Sequence, residues 1–172
     1  MKLQSNDFEL FQLPARFEQD TSQLAKIWQD LQRQAHPDKF VSEGAAAQRL
    51  AMQWSVRINE AYQRLRDPLK RAAYLCELNG APIQAENNTA MPAAFLMQQM
   101  AWRESLEEAR TLADVAALED EVSLAQRALL ADCAEQLDQR HDHAAAAQQV
   151  RALMFLARFV QDIDKRREAL NP

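Results

Sequence analysis

Two glycines, Gly44 and Gly80, are all that this chain of 172 residues contains. Tight hairpins need positive-φ positions, which glycine fills with least strain, so a sheet-rich fold is hard to turn with so few. An all-helical fold is the expectation, and the apolar spacing agrees. Leu24, Ile27, Trp28 and Leu31 fall at i, i+3, i+4 and i+7, one face of a helix. Asp20, with Gln23 three residues on, reads as the capping box that starts it. Pro37 ends it, because the residue before a proline is pushed out of the α region. Leu50, Trp54, Ile58, Ala61 and Leu65 make a second, longer stripe that stops near Asp67-Pro68.

Short apolar helices flank this pair, with Phe8, Phe11 and Leu13 before it and Leu69, Ala72, Ala73 and Leu78 after it. Gly80 followed by Pro82 is a stop signal, and residues 80–88 show no apolar period. They are the expected linker between a first unit, 1–79, and a second, 89–172. Thr89 and Pro92 open a helix running to about Arg110, and Thr111 to Asp114 read as the cap of the next. Val115, Leu118, Val122, Ala125, Leu129, Cys133 and Leu137 then alternate spacings of three and four. A last helix from about Asp142 carries Leu153, Leu156, Val160 and Ile163 on one face. Three amphipathic helices joined by short loops predict an antiparallel three-helix bundle.

Charge separates the two units. The net charge is −5, yet residues 1–80 hold 11 Lys/Arg against 10 Asp/Glu, and the remainder 9 against 15. Neither half has the basic excess of a nucleic-acid binder. No apolar run approaches the roughly 20 residues that span a bilayer, and no hydrophobic stretch follows Lys2, so neither membrane insertion nor a secretory signal is expected. Cys76 and Cys133 stand apart from any CxxC or histidine pair. A metal centre, a bound cofactor and a disulfide framework are therefore not expected, and a reducing cytoplasm is. Without a glycine-rich phosphate loop the chain should not hydrolyse ATP, and its three histidines form no nucleophile–base set. It reads as a binding module rather than an enzyme.

The connection between the two long helices is Gln34-Ala35-His36-Pro37-Asp38-Lys39-Phe40. Lys26, Gln29 and Arg33 lie on the face opposite the Leu24/Ile27/Trp28/Leu31 stripe and, with Lys39, make a cationic outward surface. Such a surface is either plain solvated helix or a steering face for an acidic partner. Phe40 either closes the small core or meets a partner, and core is the reading taken.

The His36-Pro37-Asp38 loop between two helices, with Ile58-Asn59-Glu60-Ala61-Tyr62, Leu65, Asp67-Pro68, Arg71 and Tyr74 in order, resembles a J-domain over about residues 5–76. That resemblance implies stimulation of a DnaK-type chaperone's ATPase through His36, Pro37 and Asp38. The full plan is similar to the HscB family of iron–sulfur co-chaperones, in its bacterial form. Leu10-Phe11-Gln12-Leu13-Pro14-Ala15-Arg16-Phe17, Arg71-Ala72-Ala73-Tyr74-Leu75 and Ala94-Phe95-Leu96-Met97 carry the likeness. It implies two partners, the chaperone HscA and the cluster scaffold IscU. Because the sequence lacks the cysteine-rich extension of some relatives, no zinc or cluster is expected on this chain.

The helix after Pro92 has two apolar directions. Phe95, Trp102, Leu106 and Ala109 point one way, and Leu96, Met97 and Met100 project roughly 100–200° from them, continued by Glu104 and Glu108. The second strip is either another buried face or an exposed docking surface, and periodicity leaves both open. The family resemblance implies docking, with Leu96, Met97, Met100, Glu104, Glu108 and Phe155 matching positions that hold the scaffold. Phe155 is expected to complete an exposed apolar patch. Ala101 departs from the family pattern, which often has an acid there.

Overall fold

Helix ends in this chain are set by short polar side chains and by proline. In the computed structural model, which describes residues 2–171, Asn6 and Glu9 form a capping box around the single-turn α1 (Asp7–Leu10). The Asp20 carboxylate accepts the backbone N–H groups of Ser22 and Gln23 and opens α2 (Thr21–Ala35). His36 leaves that helix in an extended conformation, as the following proline requires. A 3₁₀ segment, Pro37–Glu43, and Gly44 at φ 96° then turn the chain into α3 (Ala45–Arg66). Asp67 caps α4 (Pro68–Leu78) by accepting the N–H groups of Leu69 and Lys70. Arg71 donates to the Leu65 carbonyl at 2.6 Å, which satisfies one carbonyl at the end of α3.

The fold divides into two units, Met1–Tyr74 and Leu75–Pro172. The division falls inside α4, ahead of the expected linker at 80–88, which belongs to the second unit. The physical reason is Arg151, whose guanidinium donates to the carbonyls of Pro82, Ile83 and Ala90 and straps this stretch down.

In the first unit α2 and α3 form a hairpin whose core includes Leu24, Ile58, Ala61 and Leu65, all wholly buried, as are Phe8 and Phe11. Asp7 is buried too. Its carboxylate lies 2.7 Å from Arg57 and 3.2 Å from Arg64, an ionic contact in which neither oxygen receives an aligned hydrogen bond. Arg57 aims its N–H at the Ser5 carbonyl instead, and Arg64 stacks over Tyr74. Leu50 corrects the expected core stripe, being 48% exposed, while neighbouring Ala51 is buried. Because α2 stops at Ala35, the first turns of α3 face only the short 3₁₀ segment. They border an open notch of about 380 Å³ that Phe40 and Trp54 also line.

The second unit is the expected bundle of α5 (Ala93–Glu108), α6 (Leu112–Ala134) and α7 (His143–Leu170). Thr111 and Asp114 form the capping box of α6, and Asp142 caps α7 through the Ala145 N–H. A π-helical segment, Glu135–Arg140, prolongs α6 and ends at His141 in the left-handed region. Contacts from Glu119 to Arg167 and from Cys133 to the Ala146 carbonyl show α6 and α7 running antiparallel. The core gathers Phe95 and Trp102 from α5, Val115, Leu118 and Val122 from α6, and Ala152, Leu156, Phe159 and Ile163 from α7.

Candidate functional site

The first candidate surface is the turn after α2. Pro37 fixes its own φ and cannot donate, so the chain must leave the helix at His36. The turn is then closed by local bonds: the Lys39 N–H donates to the His36 carbonyl at 3.0 Å, and the Asp38 N–H to His36 Nδ1 at 3.3 Å. An accepting Nδ1 puts the hydrogen of the neutral ring on Nε2. The Asp38 carboxylate stands 3.6 Å from the same nitrogen, a pair that forms only when the ring is protonated, and its side chain is 87% exposed. An imidazole and a carboxylate are thus held side by side in solvent on a stiff turn. Lys26, Gln29, Arg33 and Lys39 are exposed as expected. Asp30 pairs with Arg33 at 3.4 Å and trims the cationic face.

Sequence reasoning missed what aligns this turn. Trp28 Nε1 and Gln32 Nε2 both donate to Asn59 Oδ1 at 2.8 Å. Gln32 also donates to the Ser55 carbonyl and accepts the Ser55 hydroxyl. Trp28 stacks on Tyr62 with ring centres 4.8 Å apart. This polar seam pins the last turns of α2 to α3, and its only signal in the sequence was the Ile58-Asn59-Glu60-Ala61-Tyr62 phrase.

The second candidate surface is the outer face of α5. Met97 is 77% exposed, Met100 72% and Leu96 38%, with Glu104 and Glu108 exposed beyond them. Phe95 and Trp102 point the other way into the core. Five of the six expected residues are therefore exposed on one strip, and the sixth is exposed only in part. Phe155 is half-buried, 5.7 Å edge-on from Phe95 and 6.1 Å stacked on Phe159, with the Arg103 guanidinium 5.3 Å over its ring. Helix α7 buries two faces, one towards α5 and one towards α6, so leaving the Leu153/Leu156 stripe exposes Phe155 only in part.

Comparison with known proteins decides the family. The HSCB C-terminal oligomerisation domain matches residues 91–164, which hold both α5 and Phe155. A Co-chaperone protein HscB homolog from Bordetella petrii is 52% identical over 163 residues, covering 94% of this chain and 96% of the relative. One from Burkholderia thailandensis is 48% identical over 173 residues, covering 99% and 98%. The chain belongs to the HscB family. Its fold agrees: Chaperone HscB from Vibrio cholerae superposes with a TM-score of 0.79 at 38% identity, covering 96% of this chain and 99% of that one. Human co-chaperone protein HscB gives 0.87 at 26% identity, covering 96% and 84%. Membership of the HscB family supports a co-chaperone role for this chain. No helix among the described residues is long and apolar enough to cross a membrane.

Both cysteines of this HscB relative are free and wholly buried. Burial pushes the Cys76 thiol up to about 11 and the Cys133 thiol up to about 12. Both stay protonated at neutral pH. Among the described residues no group of three or more His, Cys, Asp or Glu is placed to hold a metal ion.

Proposed function

We propose that this co-chaperone of iron–sulfur cluster assembly stimulates the ATPase of the DnaK-type chaperone HscA through His36, Pro37 and Asp38, and delivers the scaffold IscU on the outer face of α5. The observation that supports the reading is the pairing, on one HscB-family chain, of a rigid exposed His-Pro-Asp turn with an apolar strip outside the bundle core. The turn offers an acceptor, a donor and a carboxylate in fixed relation, suited to bind a complementary polar surface on a nucleotide-driven partner. Lys26, Arg33 and Lys39 add positive charge that orients encounter with an acidic patch. Met97 and Met100 offer flexible, polarisable side chains for an apolar partner surface, and Glu104 and Glu108 supply a polar edge. A cytoplasmic site of action goes with this reading, since unpaired thiols suit a reducing compartment.

Single-turnover ATP hydrolysis by HscA, measured with and without IscU, tests it. His36→Gln should lose all stimulation yet still bind IscU by calorimetric titration. The pair Met97→Ala and Met100→Ala should show the reverse, with stimulation by the co-chaperone alone intact and IscU binding weakened. Loss of both activities by either variant would contradict two separate sites.

A further inference from the structure

Helix α5 lacks the end supports that its neighbours carry. Residue Pro92 occupies its N-cap with no side-chain hydrogen bond, no acid stands in its first turn, and no basic residue stands in its last. By contrast α2, α6 and α7 each begin with a capping side chain. What α5 lacks is supplied by two arginines of α7. Arg151, only 7% exposed, donates Nε to the Ile83 carbonyl at 2.9 Å, Nη1 to Ala90 at 3.1 Å and Nη2 to Pro82 at 3.4 Å. These carbonyls line the strand of chain leading into α5. Arg166 donates both Nε and Nη2 to the Ala109 carbonyl, at 3.2 and 2.6 Å. That carbonyl is the C-cap of α5, where the helix dipole presents its negative end.

Fifteen residues of α-helix separate the arginines, about 22 Å at 1.5 Å per residue, close to the length of α5 itself. Between them the two helices meet through ring contacts, Phe95 to Phe155, Trp102 to Phe159 and the Arg103 guanidinium over Phe155. Ring contacts let a helix slide or roll, whereas charge-assisted bonds to backbone carbonyls fix where its two ends lie. Both clamps grip main chain on the core side and leave Leu96, Met97 and Met100 untouched.

We propose that Arg151 and Arg166 are positioning residues that set the pose of α5 on α7, and through it the alignment of the scaffold-docking strip. This rests on the docking reading above, so the test separates the two. In the full-length chain, Arg166→Gln and Arg166→Lys are compared by hydrogen exchange and by calorimetric titration with bacterial IscU, with Arg151→Lys as a second clamp variant. Exchange in 93–108 should rise about tenfold in Arg166→Gln while α6 and α7 exchange as before, as expected when one element opens locally. IscU affinity should fall about five- to tenfold, with Arg166→Lys, which keeps the charge but not the fork, losing about half as much on a logarithmic scale. Unchanged exchange in 93–108, or a uniform rise across the bundle, overturns the clamp. Met97→Ala runs in parallel: weakened IscU binding there with full affinity in Arg166→Gln also overturns it. Full affinity in Met97→Ala with a local exchange rise in Arg166→Gln instead removes the docking reading and keeps the positioning of α5.

Discussion

The His-Pro-Asp turn and the α5 strip are ordered by opposite means. In the turn, Pro37 and two hydrogen bonds within four residues fix the shape, so the geometry belongs to the segment itself. Helix α5 has no such resources and takes its pose from residues 57 to 68 positions away, Arg166 on Ala109 and Arg151 on Ile83. A locally ordered site keeps its shape under strain elsewhere. A remotely ordered one depends on the distant residues that hold it, here Arg151 and Arg166.

The largest expected effect breaks the comparison at the turn. Replacing His36 by Gln should reduce chaperone stimulation to the unstimulated rate in single-turnover assays, with a circular dichroism melt unchanged. Next comes Arg57→Ala, which takes the nearer counter-ion from the wholly buried Asp7 carboxylate. It should cost about 3–5 kcal/mol of first-unit stability by urea denaturation, as loss of one partner from a buried ion pair typically does. If turn order is local, hydrogen exchange at 36–39 should change less than exchange in α1.

Smaller effects sharpen the contrast on α5. Met97→Ala should cost about 1–2 kcal/mol of IscU binding with stability held within about 0.5 kcal/mol. Phe155→Ala, in the aromatic cluster, should instead lower stability by about 3–5 kcal/mol or somewhat less, given its partial exposure. Equal melting points for the two variants would undo the distinction between strip and core. The smallest effect concerns Lys26 and Arg33: charge reversal at both should slow HscA association a few-fold at low salt and vanish at high salt, because exposed charges are screened. A salt-independent loss would mean direct contact rather than steering.

What the sequence made readable follows the same division. Asp20, Pro37, Thr111 with Asp114, and Asp142 act within a turn or two of themselves, and each helix boundary they predict is present. The Leu24 and Ile58 stripes were legible because a hairpin repeats one contact along its length. Leu50 was misjudged, and the exposure of Phe155 overestimated, because helical angle alone does not say how far a facing helix extends or how many helices face one stripe. Arg151 was invisible for a plainer reason. Its partners are carbonyls, which every residue has, so no side-chain pattern marked residues 82–90 as strapped rather than free.

The buried thiols have a consequence for chemistry on a neighbouring protein. Iron moves between sites by ligand exchange, and an incoming sulfur must be a thiolate to compete. Cys76 and Cys133, protonated up to about pH 11 and 12 and shut away from solvent, cannot enter that exchange. Were it to hold a cluster-bearing scaffold as proposed above, the chain would be a spectator to that cargo: it would grip the carrier without drawing off the metal.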